Sequence, residues 1–224
     1  MLMFDFALYG HLTKDIIFDG FDQSYDIGSM ANVWNALLET NPELTISMHP
    51  TAIGEALILV DKKTSLRVSK PQLNLMVNKK PTISEAKWSH VLYANNLPDL
   101  EFVPSLKGIV SFDLSCGGNM DINYLKYVDY LFLAQEDLFM DFSELRKIIK
   151  GWVIVHRPDG SVTASADKIY KHSTELIHGI NVLGAGDIFT ANVMNNILSG
   201  MDISESVSLS HTSTRKSLMK RNIK

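Results

Sequence analysis

The 224-residue chain is 46% hydrophobic and 21% charged, as is usual for one globular domain, which we expect over residues 1–224. Its net charge of −4 gives no general attraction to nucleic acid or an anionic membrane, and no apolar run approaches the roughly 20 residues that span a bilayer. The single Cys116 excludes an intrachain disulfide, and residues 1–9 lack a signal-peptide pattern, so we expect a cytoplasmic protein.

The amino-terminal part of the chain predicts a strand and then an amphipathic helix. Residues 4–9 are mostly apolar and aromatic, which is typical of a strand. Apolar side chains then recur at helical spacing over residues 30–38, and an Asn-Pro pair at 41–42 should end that helix. Gly28 and Asn32 therefore lie at a helix start, where a glycine permits close approach of a ligand to the backbone.

A β-hairpin is predicted next. Residues 56–60 and 66–68 are apolar runs on either side of a polar turn at 61–65. Residues 73–77 predict one more strand. Periodicity alone does not distinguish an edge hairpin of a main sheet from a separate small sheet over a binding site.

From residue 88 onward, short apolar runs alternate with helical or irregular segments. The runs are continuous, as expected for strands that are buried on both faces of a parallel sheet. They cover residues 91–94, 109–112, 130–133 and 152–155. Residues 142–150 carry one apolar helical face. This alternation predicts an α/β fold with a doubly wound, mostly parallel sheet flanked by helices.

The tetrapeptide Gly-Ala-Gly-Asp at 184–187 stands directly before an apolar-periodic helix at 188–198. Small residues allow a sharp turn with accessible N–H groups, and the positive end of the helix dipole then favours a phosphate there. An acid in the first helical turn could take a proton from a substrate hydroxyl. The alternative is a glycine-rich loop capped by an aspartate before an ordinary helix. Ligands of doubly wound folds bind beyond the carboxyl ends of the strands, where Asp113 and the pair at 136–137 are also expected.

The last predicted element is a polar helix. Residues 202–205 have the form of a capping box, which predicts a helix start. Its few apolar contacts with the core should come from Val207, Leu218 and Met219.

Three segments together resemble the ribokinase-like (PfkB) carbohydrate kinases. Residues 181–189 resemble the carboxyl-terminal signature of that family, roughly Asp-Thr-x-Gly-Ala-Gly-Asp-x-Phe. Residues 27–32 resemble its Gly-Gly-x-x-x-Asn substrate motif, with Ile27 in place of the first glycine. Asp15 stands where the family has its substrate-binding aspartate. The resemblance implies the ribokinase-like fold, with a small β lid over the substrate at residues 56–77.

The resemblance also implies roles for individual residues. Asp187 would be the base that takes the proton of the acceptor hydroxyl. Backbone N–H groups would form an anion hole at Gly184, Ala185 and Gly186. The acceptor hydroxyls would be held by Asp15, Gly28 and Asn32. Aspartate and asparagine suit a polyol because they form several hydrogen bonds at once.

The chain departs from the family at the metal and nucleotide motifs. The family's Asn-x-x-Glu corresponds to residues 134–137, where Glu136 and Asp137 remain to bind Mg²⁺ through water, unless they simply form an acidic helix start. The nucleotide loop corresponds to residues 155–160, where only Gly160 matches. His156 could reach nucleotide phosphates there, or could be an exposed turn residue.

These features favour an ATP- and Mg²⁺-dependent kinase that phosphorylates a hydroxyl of a small sugar, nucleoside or polyol. The alternative is a catalytically inactive protein of the same fold that binds a nucleotide or sugar. A dehydrogenase is disfavoured because no Gly-x-Gly-x-x-Gly follows the first strand. The exposed edge of the lid could pair with the lid of a second copy, so a homodimer is possible as well as a monomer.

Overall fold

The computed structural model describes residues 3–61, 66–77, 80–115 and 118–222, which form a mixed sheet of ten strands. Cys116 and most of the predicted turn at 61–65 lie outside the described residues. The strands are β1 (Phe4–Asp19), β2 (Asp22–Ser29), β3 (Ile46–Asp61), β4 (Leu66–Val77), β5 (Ala86–Val91), β6 (Ile109–Asp113), β7 (Tyr130–Ala134), β8 (Trp152–Arg157), β9 (Gly160–Ala164) and β10 (Ile169–Ser173).

The strand order is β10-β9-β8-β7-β6-β5-β1-β3-β4, with β2 beside β1. The central pairs, from β3 through β1, β5, β6 and β7 to β8, are parallel, and the outer pairs are antiparallel. The helices are α1 (Met30–Thr40), α2 (Phe142–Ile148), α3 (Ala185–Leu198) and α4 (Ile203–Asn222). In the part of the chain that the structure describes, no helix combines the length and the apolar character needed to cross a bilayer.

Helices cover both faces of the central sheet. Phe132 on β7 packs on the side of α1, α3 and α4, while its neighbours Leu131 and Leu133 pack on the side of α2. Complete burial of one such side chain stabilises the fold by about 1.5–3 kcal/mol, so these clusters hold the layers together. The continuous apolar runs in the sequence correspond to this burial on two faces, and the predicted fold class is confirmed.

The second half of β1 extends beyond the main sheet and forms a smaller sheet. We call this the outer sheet and define it as residues 12–19, 22–29, 52–61 and 66–77. The chain passes from the main to the outer sheet at Gly10, which has a φ of 137°. A Cβ at Gly10 would lie 2.6 Å from the Leu92 carbonyl oxygen, so only glycine fits this close approach. The outer sheet has its own apolar cluster, formed by Ile17, Ala56, Ile58 and Val60.

The predicted strand at 91–94 is wrong, because β5 ends at Val91. Two polar residues, Ser89 and His90, interrupt the apolar run that a buried strand should show. Both are nevertheless fully buried, because the Ser89 hydroxyl donates to the Lys107 carbonyl and His90 Nδ1 lies 2.7 Å from the Ser111 hydroxyl. Long-range hydrogen bonds therefore place this strand.

Other predicted boundaries are also corrected. The first strand does not end at residue 9 but continues to Asp19, because its second half is stabilised by pairing with β2 and β3. The predicted runs at 66–68 and 73–77 belong to the single strand β4. Met219 is not an apolar contact of α4, since 47% of it is exposed, whereas Val207 and Leu218 are buried as predicted.

Candidate active site

A cavity of about 370 Å³ opens where the carboxyl ends of the parallel strands face the outer sheet. Its size suits a small polar ligand. Most of the residues predicted for a site line this cavity, namely Asp15, Asn32, Glu136, Asp137, His156, Gly184, Gly186 and Asp187. Residues from distant parts of the chain thus meet at the edge where doubly wound folds bind ligands.

Asp187 lies in the first turn of α3 and is only 5% exposed. Its Oδ2 accepts a hydrogen bond of 2.9 Å from Asn32 Nδ2. Its Oδ1 accepts one of 2.9 Å from the Tyr93 hydroxyl. These two donors fix the direction of the Asp187 carboxyl group at the start of the helix. Asp187 thus presents a fixed carboxyl group to the cavity and is a candidate general base.

The glycine-rich turn before α3 forms much as the sequence indicates. Gly184 caps the helix with φ of 74° and ψ of 9°, a left-handed conformation that favours glycine. The N–H of Ala185 donates to the Val182 carbonyl at 3.0 Å, so this amide is engaged within the turn. The His156 ring packs against Gly186 at the start of α3, since a Cβ there would make ordinary contact with this ring at 3.4 Å. Anions at this helix start would meet the first-turn N–H groups.

Asn181, which replaces the aspartate of the family signature, has contacts in the fold. Its side-chain Oδ1 accepts a hydrogen bond from the Leu183 N–H at 2.9 Å. Its backbone N–H and carbonyl both bond to the side chain of Asn222 on α4. Asn181 therefore holds the turn before α3 and attaches it to the last helix.

Asp15 and Gly28 lie together on the outer-sheet side of the cavity. Asp15 is 4% exposed, and its Oδ1 accepts a 2.6 Å hydrogen bond from the Thr13 hydroxyl. A Cβ on Gly28 would lie 2.1 Å from Asp15 Oδ2, so the glycine makes room for this carboxyl group. Gly28 thus lies against Asp15, while Asp15 and Thr13 form the cavity wall.

Asp113 at the end of β6 is a third buried carboxyl group at this site. It is 4% exposed and accepts a 3.2 Å hydrogen bond from the Thr190 hydroxyl. Burial raises the pKa of Asp113 well above its ordinary value, and the nearby negative charges of Asp187 and Asp137 raise this pKa further. Asp113 therefore keeps its proton to a higher pH than an ordinary aspartate does.

Glu136 and Asp137 form a short 3-10 helix directly after β7, and both line the cavity beside Ala134. Carboxylates that face a polar cavity fit the water-mediated binding that Mg²⁺ prefers. Within the described ranges, no three His, Cys, Asp or Glu residues form a group that could hold a metal ion directly. The arrangement suits an ion that keeps most of its water and binds partly through a substrate.

His156 and Gly160, both predicted for nucleotide binding, lie in different places. His156 at the end of β8 lines the cavity. Gly160 begins β9 with a φ of 147°, and a Cβ there would lie 2.0 Å from the His172 carbonyl oxygen on β10. The requirement for glycine at 160 comes from this contact between strands. Arg157 forms an ion pair with Asp159 in the turn between β8 and β9.

Several polar residues of the cavity wall were not identified from the sequence, among them His11, Tyr93 and Asn96. His11, Thr13 and Asp15 are every second residue of β1, and such residues point to the same face of a strand. This spacing could have indicated that His11 shares the face of Asp15. Burial lowers the pKa of His11 to about 4, which keeps the ring neutral near pH 7. Tyr93 follows β5, but the predicted strand at 91–94 included it, so Tyr93 was not expected at the end of a strand.

Solved structures share this architecture at low sequence identity. Ribokinase from Thermotoga maritima has a TM-score of 0.75 at 17% identity, over 96% of this chain and 93% of that one. Adenosine kinase from Sinorhizobium meliloti has a TM-score of 0.78 at 12% identity, over 97% and 94%. Fructokinase from Vibrio cholerae O395 has a TM-score of 0.68 at 15% identity, over 96% and 99%. No protein-family model and no curated protein matches the sequence. The chain therefore has the ribokinase-like fold that its motifs led us to expect.

Proposed function

We propose that this protein transfers a phosphoryl group from ATP to a hydroxyl group of a small sugar, nucleoside or polyol. The observation that carries this proposal is the position of Asp187, in the first turn of α3, at the cavity and hydrogen-bonded to Asn32. The similar structures named above are a ribokinase, an adenosine kinase and a fructokinase, which supports the same class of reaction.

In this reaction Asp187 takes the proton of the acceptor hydroxyl as its oxygen attacks the terminal phosphorus of ATP, and ADP leaves. Asp15 and Asn32 hold other hydroxyls of the acceptor, so the attacking oxygen is fixed in direction. The transferred group lies at the start of α3, where the first-turn N–H groups and the helix dipole stabilise its charge. The protein thus supplies positioning and electrostatics, which is most of what phosphoryl transfer requires.

A metal ion is part of the proposal because of the charge of the cavity. Its described lining residues include no Lys or Arg, whereas five are carboxylic acids, namely Asp15, Asp113, Glu136, Asp137 and Asp187. ATP is itself strongly anionic, so its phosphates need a cation here. Mg²⁺, held through water by Glu136 and Asp137, would neutralise the phosphate charge when bound. His156, which lines the cavity from the side of β8, would contact the phosphates.

The test is Asp187→Asn, which keeps the size of the side chain and removes the base. We expect kcat to fall by about 10²–10⁴-fold, the usual contribution of a general base, with a much smaller change in ATP affinity. Glu205→Gln is the matched control, because Glu205 is an exposed acid in the first turn of another helix, α4. Near-normal turnover by the Asp187 variant would overturn the role of this residue. Binding of ATP by the wild type without turnover on a panel of sugars and nucleosides would support the inactive binding protein instead.

We also propose that the outer sheet, which contains the described residues 56–61 and 66–77, acts as a lid. It forms one wall of the cavity through Thr13, Asp15, Ala56 and Ile58. Closure over the acceptor would exclude water from the transferring phosphoryl group. Acceptor binding should therefore slow hydrogen exchange in the outer sheet and leave β7 and β8 unchanged. Equal exchange with and without acceptor would mean that the outer sheet is a static part of the fold.

A homodimer through the outer sheet is the partner that we propose. Its face away from the cavity exposes four large apolar side chains, namely Tyr25, Ile27, Leu57 and Leu59. Strand pairing puts Ile16 opposite Tyr25 and Leu57, so several of these residues share one face. Light scattering should give twice the mass of one chain, and Leu57→Glu should return it to 25.1 kDa, whereas Ile169→Glu at the far edge should not. A monomeric wild type would overturn this proposal.

A further inference from the structure

Tyr93 has a backbone conformation that residues with a side chain rarely adopt. Its φ of 51° and ψ of 46° lie in the left-handed region, directly after β5. An aromatic residue is disfavoured there because its Cβ approaches the following carbonyl oxygen. Such conformations persist where the surrounding structure fixes them, and they occur most often at functional sites.

The segment around Tyr93 is fixed by hydrogen bonds on both sides. Before it, the Leu92 N–H donates to the Tyr9 carbonyl at 2.8 Å. After it, the Asn95 side chain both donates to the Ser115 carbonyl, at 2.5 Å, and accepts from the Ser115 N–H, at 3.0 Å. Asn96 Nδ2 donates to the Ser115 hydroxyl at 2.5 Å. These bonds join the ends of β5 and β6 and hold Tyr93 in its unusual conformation.

The consequence of this conformation is the direction of the phenol group. The Tyr93 hydroxyl lies 2.9 Å from Asp187 Oδ1, and its ring lines the cavity. The ring of His11 packs beside it, with centroids 5.9 Å apart. Asn32 donates to the other oxygen, Oδ2. The two oxygens of Asp187 are therefore held by donors from two different parts of the chain.

We propose that Tyr93 is a positioning residue for Asp187, and this inference rests on the proposed kinase function. Its hydroxyl holds the carboxylate in the direction that receives the acceptor proton, and its ring forms the adjoining wall of the acceptor site. An acceptor hydroxyl must share Asp187 with Tyr93 and Asn32, so the phenol group restricts where that hydroxyl can lie. Tyr93 thus acts on catalysis through Asp187 and takes no proton itself.

The first test uses Tyr93→Phe, which keeps the ring and removes the hydroxyl. Loss of a hydrogen bond to a charged group typically changes a rate or equilibrium constant by about 10- to 100-fold. We expect kcat to fall by that factor and the KM for ATP to stay unchanged. Tyr9→Phe is the matched control. Tyr9 is a buried tyrosine whose hydroxyl accepts a hydrogen bond from the Ser84 N–H, so its loss should lower stability without lowering kcat. A Tyr93→Phe variant with kcat within twofold of the wild type would overturn the proposal.

A second variant separates the ring from the hydroxyl. Asn tolerates the left-handed conformation better than most residues, so Tyr93→Asn preserves the turn while removing the wall of the cavity. We expect it to lose kcat as Tyr93→Phe does and, in addition, to raise the KM for the acceptor. An unchanged acceptor KM in this variant would show that the ring forms no part of the acceptor site.

The last measurement needs no turnover, so it remains decisive if the proposed kinase function fails. Unfolding of Tyr93→Phe, Asp187→Asn and the double variant gives a double-mutant cycle. We expect a coupling of about tenfold in the unfolding equilibrium constant, as for a hydrogen bond to a charged group. Additive effects would overturn the proposal, because Tyr93 would then not hold Asp187. Coupling without turnover in the wild type would refute the kinase function and leave the contact established.

Discussion

Asn32 Nδ2 donates a hydrogen bond of 2.9 Å to Asp187 Oδ2, across a separation of 155 residues. Asn32 lies in the first turn of α1 and Asp187 in the first turn of α3, so the positive ends of two helices meet at one carboxylate. Gly184, whose φ of 74° favours glycine, also lies against Asn32, since a Cβ there would be 3.4 Å from the same Asn32 nitrogen. This contact joins the acceptor side of the cavity to the proposed anion site.

Replacing Asn32 should therefore disturb the proposed base as well as the acceptor. Asn32→Asp removes the donor and adds a negative charge beside Asp187. Loss of a hydrogen bond to a charged group typically lowers a rate or binding constant by about 10- to 100-fold. We therefore expect kcat/KM for the acceptor to fall by at least that factor. Steady-state kinetics would measure this. Asn35→Asp is the control, since Asn35 is an exposed residue of the same helix, and equal losses in the two variants would contradict the role of Asn32.

Gly28→Ala should weaken acceptor binding specifically. The added Cβ would lie 2.1 Å from Asp15 Oδ2, so the Asp15 carboxyl group must shift. We expect a rise of about tenfold or more in acceptor KM, as for loss of one hydrogen bond to a charged group, with little change in the KM for ATP. Gly151→Ala creates a similar clash, with the Asp129 carbonyl oxygen, away from the cavity, and should lower stability without affecting acceptor KM. An unchanged acceptor KM for the Gly28 variant would remove Asp15 from the acceptor site.

Much of the fold was predictable because its central strands and helices carry strong apolar patterns. β7 and β8 are buried on both faces and read as continuous apolar runs. By contrast, β5 contains Ser89 and His90, which are buried through hydrogen bonds to residues 18 and 21 positions away. No local pattern contains such partners, so the strand was misplaced.

The candidate site likewise contains residues that local sequence motifs identify and residues whose properties arise only in the folded structure. Motif resemblance identified Asp187, Asn32 and Asp15, and these residues lie together at the cavity. It also selected Gly160, whose need for glycine comes from a contact with the neighbouring strand β10. Asp113 was also expected at this edge of the sheet, but its raised pKa and the direction of the Tyr93 hydroxyl depend on burial, backbone conformation and neighbouring charges. Those properties exist only once the strands are assembled.

The two acids after β7 should differ in their effect on metal dependence. If Asp137 holds Mg²⁺ through water, Asp137→Ala should raise the Mg²⁺ concentration needed for half-maximal activity. Loss of one water-mediated ligand should raise it by about tenfold, as for one hydrogen bond to a charged group. Parallel titration of Glu136→Ala shows which of the two neighbours acts. Identical Mg²⁺ titrations for both variants and the wild type would contradict a metal role for this pair.

Asp113→Asn should stabilise the protein, and the gain should grow with pH. The folded-state pKa of Asp113 is raised above its ordinary value of 3.8, by burial first and then by the charge of Asp187. As pH rises above 3.8, the unfolded chain releases this proton while the folded protein keeps it, so wild-type stability falls. The slope is at most about 1.4 kcal/mol per pH unit, and the fall ends above the folded-state pKa.

Asparagine has no such proton and still accepts the hydrogen bond from Thr190, so the variant should escape this loss. Urea unfolding at several pH values between 4 and 8 should show two curves that separate as pH rises, with the variant more stable at pH 7. Asp167→Asn, at an exposed position, is the control and should follow the wild type. Parallel stability profiles for Asp113→Asn and the wild type would mean that Asp113 is ionised in the folded protein. An ionised Asp113 would then place a negative charge beside the proposed base Asp187.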